Sequence, residues 1–126
     1  TLFRSIALDL VRGSQRTVAI HGCEGNESVA YIGGSDDRLI ELITESLEDI
    51  GISVREAPHH ISGTQENNIV NMTQTQGGVQ LELTAQLRKE LFKNRKSSRK
   101  NRENKDNWDD LMYDFADAMK KAIERA

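Results

Sequence analysis

Residues 28–56 read SVAYIGGSDDRLIELITESLEDIGISVRE, and this stretch constrains the fold more than any other. A short strand at 28–32 stops at Gly33-Gly34. Ser35 has the side chain of an N-cap, and Asp36 and Asp37 follow in the first turn, where the helix dipole favours acids. Leu39, Ile40, Leu42, Ile43, Leu47 and Ile50 then recur at helical spacing and give the helix a broad apolar face. Gly51 closes it in the position where glycine ends helices. The segment ISVRE at 52–56 alternates in the manner of a strand.

The rest of the chain continues the alternation. Leu2, Phe3, Ile6, Leu10 and Val11 make a helical stripe over about 2–12, closed by Gly13. The apolar run at 16–21 predicts a strand buried on both faces. VQLEL at 79–83 predicts another, followed by a helix over 84–93. A last helix starts near Asn107 and carries Trp108, Leu111, Met112, Phe115, Met119, Ala122 and Ile123 on one core-facing side. Between 58 and 78 the chain is polar, and so long a segment without apolar anchors is often functional. Residues 93–107, KNRKSSRKNRENKDN, are strongly basic. Within them, 94–106 is expected to be a basic loop or disordered connector. The element order predicts an α/β fold, a mixed β-sheet flanked by helices, in a single domain over 1–126.

Composition narrows the function classes. Nothing approaches the roughly 20 consecutive apolar residues that span a bilayer. Cys23 is the single cysteine, so neither an internal disulfide nor a cysteine zinc knuckle can form. A formal net charge of −3 argues against a general nucleic-acid binder. The opening residues show no charged-then-apolar leader, so cytoplasmic synthesis is expected, with release on lysis. Because the sequence starts at Thr1 inside a patterned helix, a fragment of something longer is one reading, and trimming is the other.

Several residues carry possible chemistry. His21 ends the first apolar run and is followed by glycine, so a ring nitrogen can point outward as a metal ligand or general base; a structural histidine is the alternative. Glu82 lies within VQLEL, where Gln80 and Glu82 share one face and Val79, Leu81 and Leu83 the other. A carboxylate in mid-strand needs solvent, a partner or a metal. His59 and His60 are adjacent, so on an extended chain they point opposite ways and rarely share one ion. Cys23 could be a nucleophile activated by His21, although no third orienting group is evident. Glu24 and Glu27 could be ligands near His21 or simply face solvent. The basic run could grip phosphates, but no aromatic residue interleaves it for base stacking.

Four motifs in order, AIHGCEG, YIGG, ISGTQENNIVN and GGVQLELTAQLR, resemble the second half of the phage-type poly-γ-glutamate hydrolases. These are zinc peptidases of phages and prophage-related Bacillus proteins, with a metallocarboxypeptidase-like fold. The resemblance covers residues 1 to about 92. It implies that His21 is a zinc ligand, that Glu82 is the general base and acid, and that Asn68 and Asn71 line the substrate cleft. It also implies a substrate of poly-γ-glutamate or another γ-glutamyl peptide, while composition argues against a membrane partner and against nucleic acid. Two departures stand out. The family takes a further His and Glu ligand from an earlier HGG…E…T motif that has no counterpart here, and Met72 and Thr73 stand where the family places an arginine. The expectation is therefore the C-terminal part of a larger domain, with an incomplete zinc site and no activity by itself. The alternative is a non-catalytic phage or prophage accessory protein, using its basic segment on nucleic acid.

Overall fold

The computed structural model describes residues 2–58, 69–75 and 77–126, with backbone alone for 2–5. Strands β1 (Val18–Cys23), β2 (Val29–Gly34), β3 (Ser53–Glu56) and β4 (Val79–Thr84) form one sheet in the order β1-β4-β2-β3. β4 runs parallel to β1 and antiparallel to β2, and β2 runs parallel to β3, so the sheet is mixed. The helices are α1 (Leu2–Arg12), α2 (Asp37–Asp49), α3 (Ala85–Glu90), α4 (Arg99–Arg102) and α5 (Asp110–Arg125).

One face of the sheet carries the core. Ala30, Ile32, Val79, Leu81 and Leu83 meet Leu39, Leu42, Ile43 and Leu47 of α2 and Phe115, Ala118, Met119 and Ala122 of α5. Each fully buried leucine or isoleucine here contributes about 1.5–3 kcal/mol. Asp36, not Ser35, caps α2: its Oδ1 accepts from Leu39 N at 3.1 Å, and its Oδ2 pairs with Arg16 Nη1 at 2.6 Å. Ser35 is drawn instead into a turn in which Ser35 N and Asp36 N both donate to Gly78 O. Backbones crowd there. A Cβ on Gly78 would overlap the Val70 carbonyl, and Gly34 sits at φ +124 against Gly78. Only glycine fits both places.

Three expectations need correction. Among the described residues the first strand is not buried on both faces: β1 ends the sheet, and Ile20 is 53% exposed. The strand also runs two residues beyond His21, to Cys23. The last helix begins at Asp110, because Asp109 Oδ1 accepts from Leu111 N and Trp108 is extended. The basic segment, expected to be a loop or connector, contains α4 and short 3-10 turns at Lys93–Arg95 and Lys105–Asn107. Trp108 Nε1 donates to Arg102 O at 2.8 Å, and Asn107 Nδ2 to Asn101 O at 2.9 Å, fastening it.

Candidate metal and catalytic site

The second face of the sheet is polar, and β4 lies at its centre. Every residue of β4 is buried, so the side chains that face away from the helices are covered too. Those are Gln80, Glu82 and Thr84. The register sets His21 of β1 opposite Glu82 on one side and Tyr31 of β2 opposite it on the other. Alternation turns all three to the same face.

The structure therefore brings His21 and Glu82 together. His21 Nδ1 stands 3.9 Å from Glu82 Oε1, an ion-pair distance when the ring is protonated and too long for a direct hydrogen bond. The Glu82 side chain is 9% exposed and that of His21 is 54% exposed. Gln80 Nε2 donates to the same Oε1 at 3.3 Å. A buried carboxylate with one amide donor stands beside an open imidazole. Such a pair can offer a ring nitrogen to a Lewis acid and an oxygen to a proton.

Thr84 fixes the end of the strand. Its Oγ1 donates to Glu27 O at 2.6 Å and accepts from Val29 N at 3.1 Å and from Leu87 N at 3.2 Å. One hydroxyl thus caps α3 and ties β2 to β4.

Cys23 lies two residues beyond His21 on the same face. Burial pushes its thiol up, the Glu82 charge adds to this, and Arg88 pulls partly the other way. A raised thiol leaves less thiolate to act as a nucleophile, which weighs against that role. Glu24 is exposed. Glu27 is exposed as well and pairs with Arg55 at 2.9 Å, a bond that raises the guanidinium further, with a smaller contribution from Tyr31. Asn71 is buried, and its Oδ1 accepts from Gly78 N at 3.1 Å at the entry to β4. Asn68, His59 and His60 lie outside the described residues.

Two further residues gave no signal in the sequence: Tyr31, on the same face as the pair, and Arg88, on the opposite face, where Gly22 stands in register with core Leu83. Tyr31 reaches Glu82 only through the strand register. Arg88, on α3, lies across Gly22 and donates from Nη2 to Cys23 O at 3.1 Å. A Cβ on Gly22 would stand 2.9 Å from the Arg88 Cζ, so the glycine after His21 is what admits the guanidinium. As for a metal, the donor chemistry suits one imidazole ligand with a carboxylate beside it. Among the described residues no three His, Cys, Asp or Glu side chains gather as a ligand set, whereas catalytic zinc takes about three protein ligands.

Comparison with known proteins sets this site in a family. The profile of the family described as poly-gamma-glutamate hydrolase matches residues 3–118. The SPbeta prophage-derived UPF0714 protein YoqZ of Bacillus subtilis (strain 168) is 34% identical over 88 residues, covering 68% of this chain and 32% of its own length. The UPF0714 protein YmaC of the same strain is 29% identical, covering 95% of this chain and 50% of its own. The chain thus spans about a third to a half of the length of these curated relatives. Among solved structures, a bacteriophage poly-gamma-glutamate hydrolase superposes with a TM-score of 0.88 at 29% identity, covering 95% of this chain and 57% of that one. A structure described as YNDL-apo (zinc-free) superposes with a TM-score of 0.84 at 24% identity, covering 94% and 58%, and supports the fold alone. The mixed four-stranded sheet, its helices and the near-complete profile match together place the chain in the poly-γ-glutamate hydrolase family.

Proposed function

We propose that the full-length protein to which this chain belongs is a zinc-dependent hydrolase of γ-glutamyl amide bonds in poly-γ-glutamate, of phage or prophage origin. The observation that carries the reading is the pairing of His21 with Glu82 on the polar face, 3.9 Å apart. Family membership supports it.

In this reading His21 is one of the residues that would hold zinc, and the remaining ligands come from polypeptide beyond the described residues. Zinc bound there would supply Lewis-acid polarisation of the scissile carbonyl. Glu82 takes a proton from the attacking water and delivers it to the leaving amine, its oxygen kept in place by the Gln80 amide. Asn68 and Asn71 stand as cleft residues on the strength of the family motif, Asn71 also bracing the entry to β4 through Gly78.

The test is release of glutamyl oligomers from poly-γ-glutamate by the full-length protein, with and without zinc, against Glu82→Gln. Loss of a general base lowers the rate by about 10²–10⁴-fold. Equal rates would remove Glu82 from the mechanism. A corollary concerns the chain alone, which is expected to bind zinc weakly and to be inactive. Tight one-to-one zinc binding by it in calorimetry would show that the ligand set has been misread.

A further inference from the structure

Among the described residues β3 ends the sheet opposite β1, and a groove of about 390 Å³ runs beside it, against α2. Register pairs Val54 with Ala30 and Glu56 with Ile32, so both side chains turn to the helix-bearing face. Ile40 and Val54, half-buried on the core, give the groove an apolar floor. Asp37 and Glu56, both exposed, stand at one end of it. At the other end Thr44 joins it to a second hollow along α2, walled by Glu41, Glu45, Glu48 and Asp49. Among the described residues none of these acids is in an ion pair. Five acids fall between 37 and 49 against one base, Arg38. The base of β3, Arg55, turns to the other face with Tyr31 and is held by Glu27 at 2.9 Å. The main chain of β3 is open as well. Ala57 N donates to Ile32 O at 2.9 Å, and in a parallel ladder every second residue bonds the same neighbour. Ser53 and Arg55 therefore direct their main-chain groups to β2. Val54 and Glu56 direct theirs outward, where no described strand meets them.

We propose that the β3 edge and its groove dock an extended segment of a partner protein, one face of which carries an apolar side chain with a lysine or arginine two residues to either side. The inference goes beyond the hydrolase reading and does not depend on it, because the groove lies on the face opposite His21 and Glu82. An added strand gains main-chain hydrogen bonds from the sheet edge, and pockets that receive its alternate side chains give specificity. Here the apolar side chain meets Ile40 and Val54. One flanking cation meets Asp37 and Glu56, and the other meets the acids farther along α2. A single exposed ion pair contributes little, so the affinity comes from the main-chain bonds and the apolar contact, while the charges set register and on-rate. A second copy of this chain is the less favoured occupant. Pairing β3 with its own copy would bring these acids face to face, and like charges across strands are destabilising. The basic residues of 93–105 lie in α4 and 3-10 turns, not in an extended stretch that could enter the groove.

The experiment measures binding of a fluorescent peptide, Ser-Lys-Ser-Ile-Ser-Lys-Ser, to the full-length protein by anisotropy across a salt series. Two variants are compared with wild type: Asp37→Asn/Glu56→Gln at the groove, and a control on α5, Asp114→Asn/Asp117→Asn. All four positions are exposed, so the substitutions leave folding nearly unaffected. The groove variant is expected to bind about tenfold more weakly with a flatter salt dependence, while the control stays at the wild-type value. Two altered peptides are each expected to lose about tenfold, one with serine in place of isoleucine and one methylated on its main-chain nitrogens. Nuclear magnetic resonance of the wild-type complex is expected to show slower hydrogen exchange at the Val54 and Glu56 amides. The inference is overturned if wild type does not bind the peptide, if the groove variant binds it as wild type does, if either altered peptide binds equally well, or if exchange at those two amides is unchanged. It is overturned too if wild type sediments as a dimer that Asp37→Asn/Glu56→Gln breaks, which would assign the edge to a second copy. No readout involves cleavage, so failure of the docking leaves the hydrolase reading standing, and a protein without hydrolase activity could still bind the peptide.

Discussion

Glu82 is a carboxylate on a buried strand, and its substitution by glutamine should make the protein more stable while removing the base proposed above. Taking a carboxylate out of water costs several kcal/mol even after the surroundings relax. Two partners offset this. The Gln80 amide donates at 3.3 Å, and a hydrogen bond to a charged group contributes about 1.5–3 kcal/mol. His21, at 3.9 Å, adds about 1 kcal/mol when protonated in a water-like dielectric and about 4 at an effective constant of about 20. The histidine side chain is more than half exposed, so the smaller figure applies. The balance leaves the charge short by about 1–2 kcal/mol. Glu82→Gln keeps an oxygen for Gln80 and deletes the charge, so a gain of about 1 kcal/mol is expected, seen as a rise in Tm of about 3–5 °C for a domain of this size. Thermal and urea denaturation of the metal-free protein followed by circular dichroism near neutral pH would measure it. A loss of about 1 kcal/mol or more would refute the reasoning. It would mean that the carboxylate is a net structural anchor and that its burial needs no functional explanation.

Two further outcomes follow from the same region. Thr84→Val removes the cap of α3 and strands Val29 N in a buried site, so unfolding by urea should show a loss of about 2–3 kcal/mol; Thr84→Ser should recover most of it, and a wild-type midpoint in the valine variant would contradict the triple role of that hydroxyl. The raised Cys23 thiol should be alkylated more slowly than a free cysteine in the metal-free protein, because less thiolate is present at any pH below its pKa. Deleting the negative charge with Glu82→Gln should speed the reaction and deleting the positive one with Arg88→Gln should slow it; opposite signs would mean that the three groups do not share a field.

Local signals and long-range placement were unequally legible in the sequence. Helix α2 was readable because its cap, its period and its glycine stop are consecutive in the chain, and the only error was which of two adjacent cap residues prevailed. Asp36 prevailed because Arg16, far away in the sequence, takes its second oxygen while Gly78 draws Ser35 into a turn. The run Val18–Ile20 looked like a doubly buried strand because apolar content alone cannot distinguish a central strand from an edge. Sheet order decides that, and β1 stands at the end of it. The spacing of Trp108 fits the helical stripe, yet the Asp109 side chain starts the helix after it and frees the indole to fasten the basic segment. Such side-chain-to-backbone bonds leave no periodic trace.

The site shows the same division more sharply. Alternation within VQLEL correctly put Gln80 and Glu82 on one face, but their burial depends on β4 having a neighbour on each side, one parallel and one antiparallel. A shift of one residue in the β1–β4 register would set His21 against a leucine and turn Glu82 into the apolar core. The pairing is thus a property of register, and register is held at the two ends of β4. At one end Gly78 packs against Val70 and Gly34 where no side chain fits, and at the other Thr84 ties Glu27, Val29 and Leu87 to one hydroxyl. The residues that position the site are therefore the glycines and the threonine that bracket VQLE, which carry no chemistry of their own, and a search for reactive side chains passes over them.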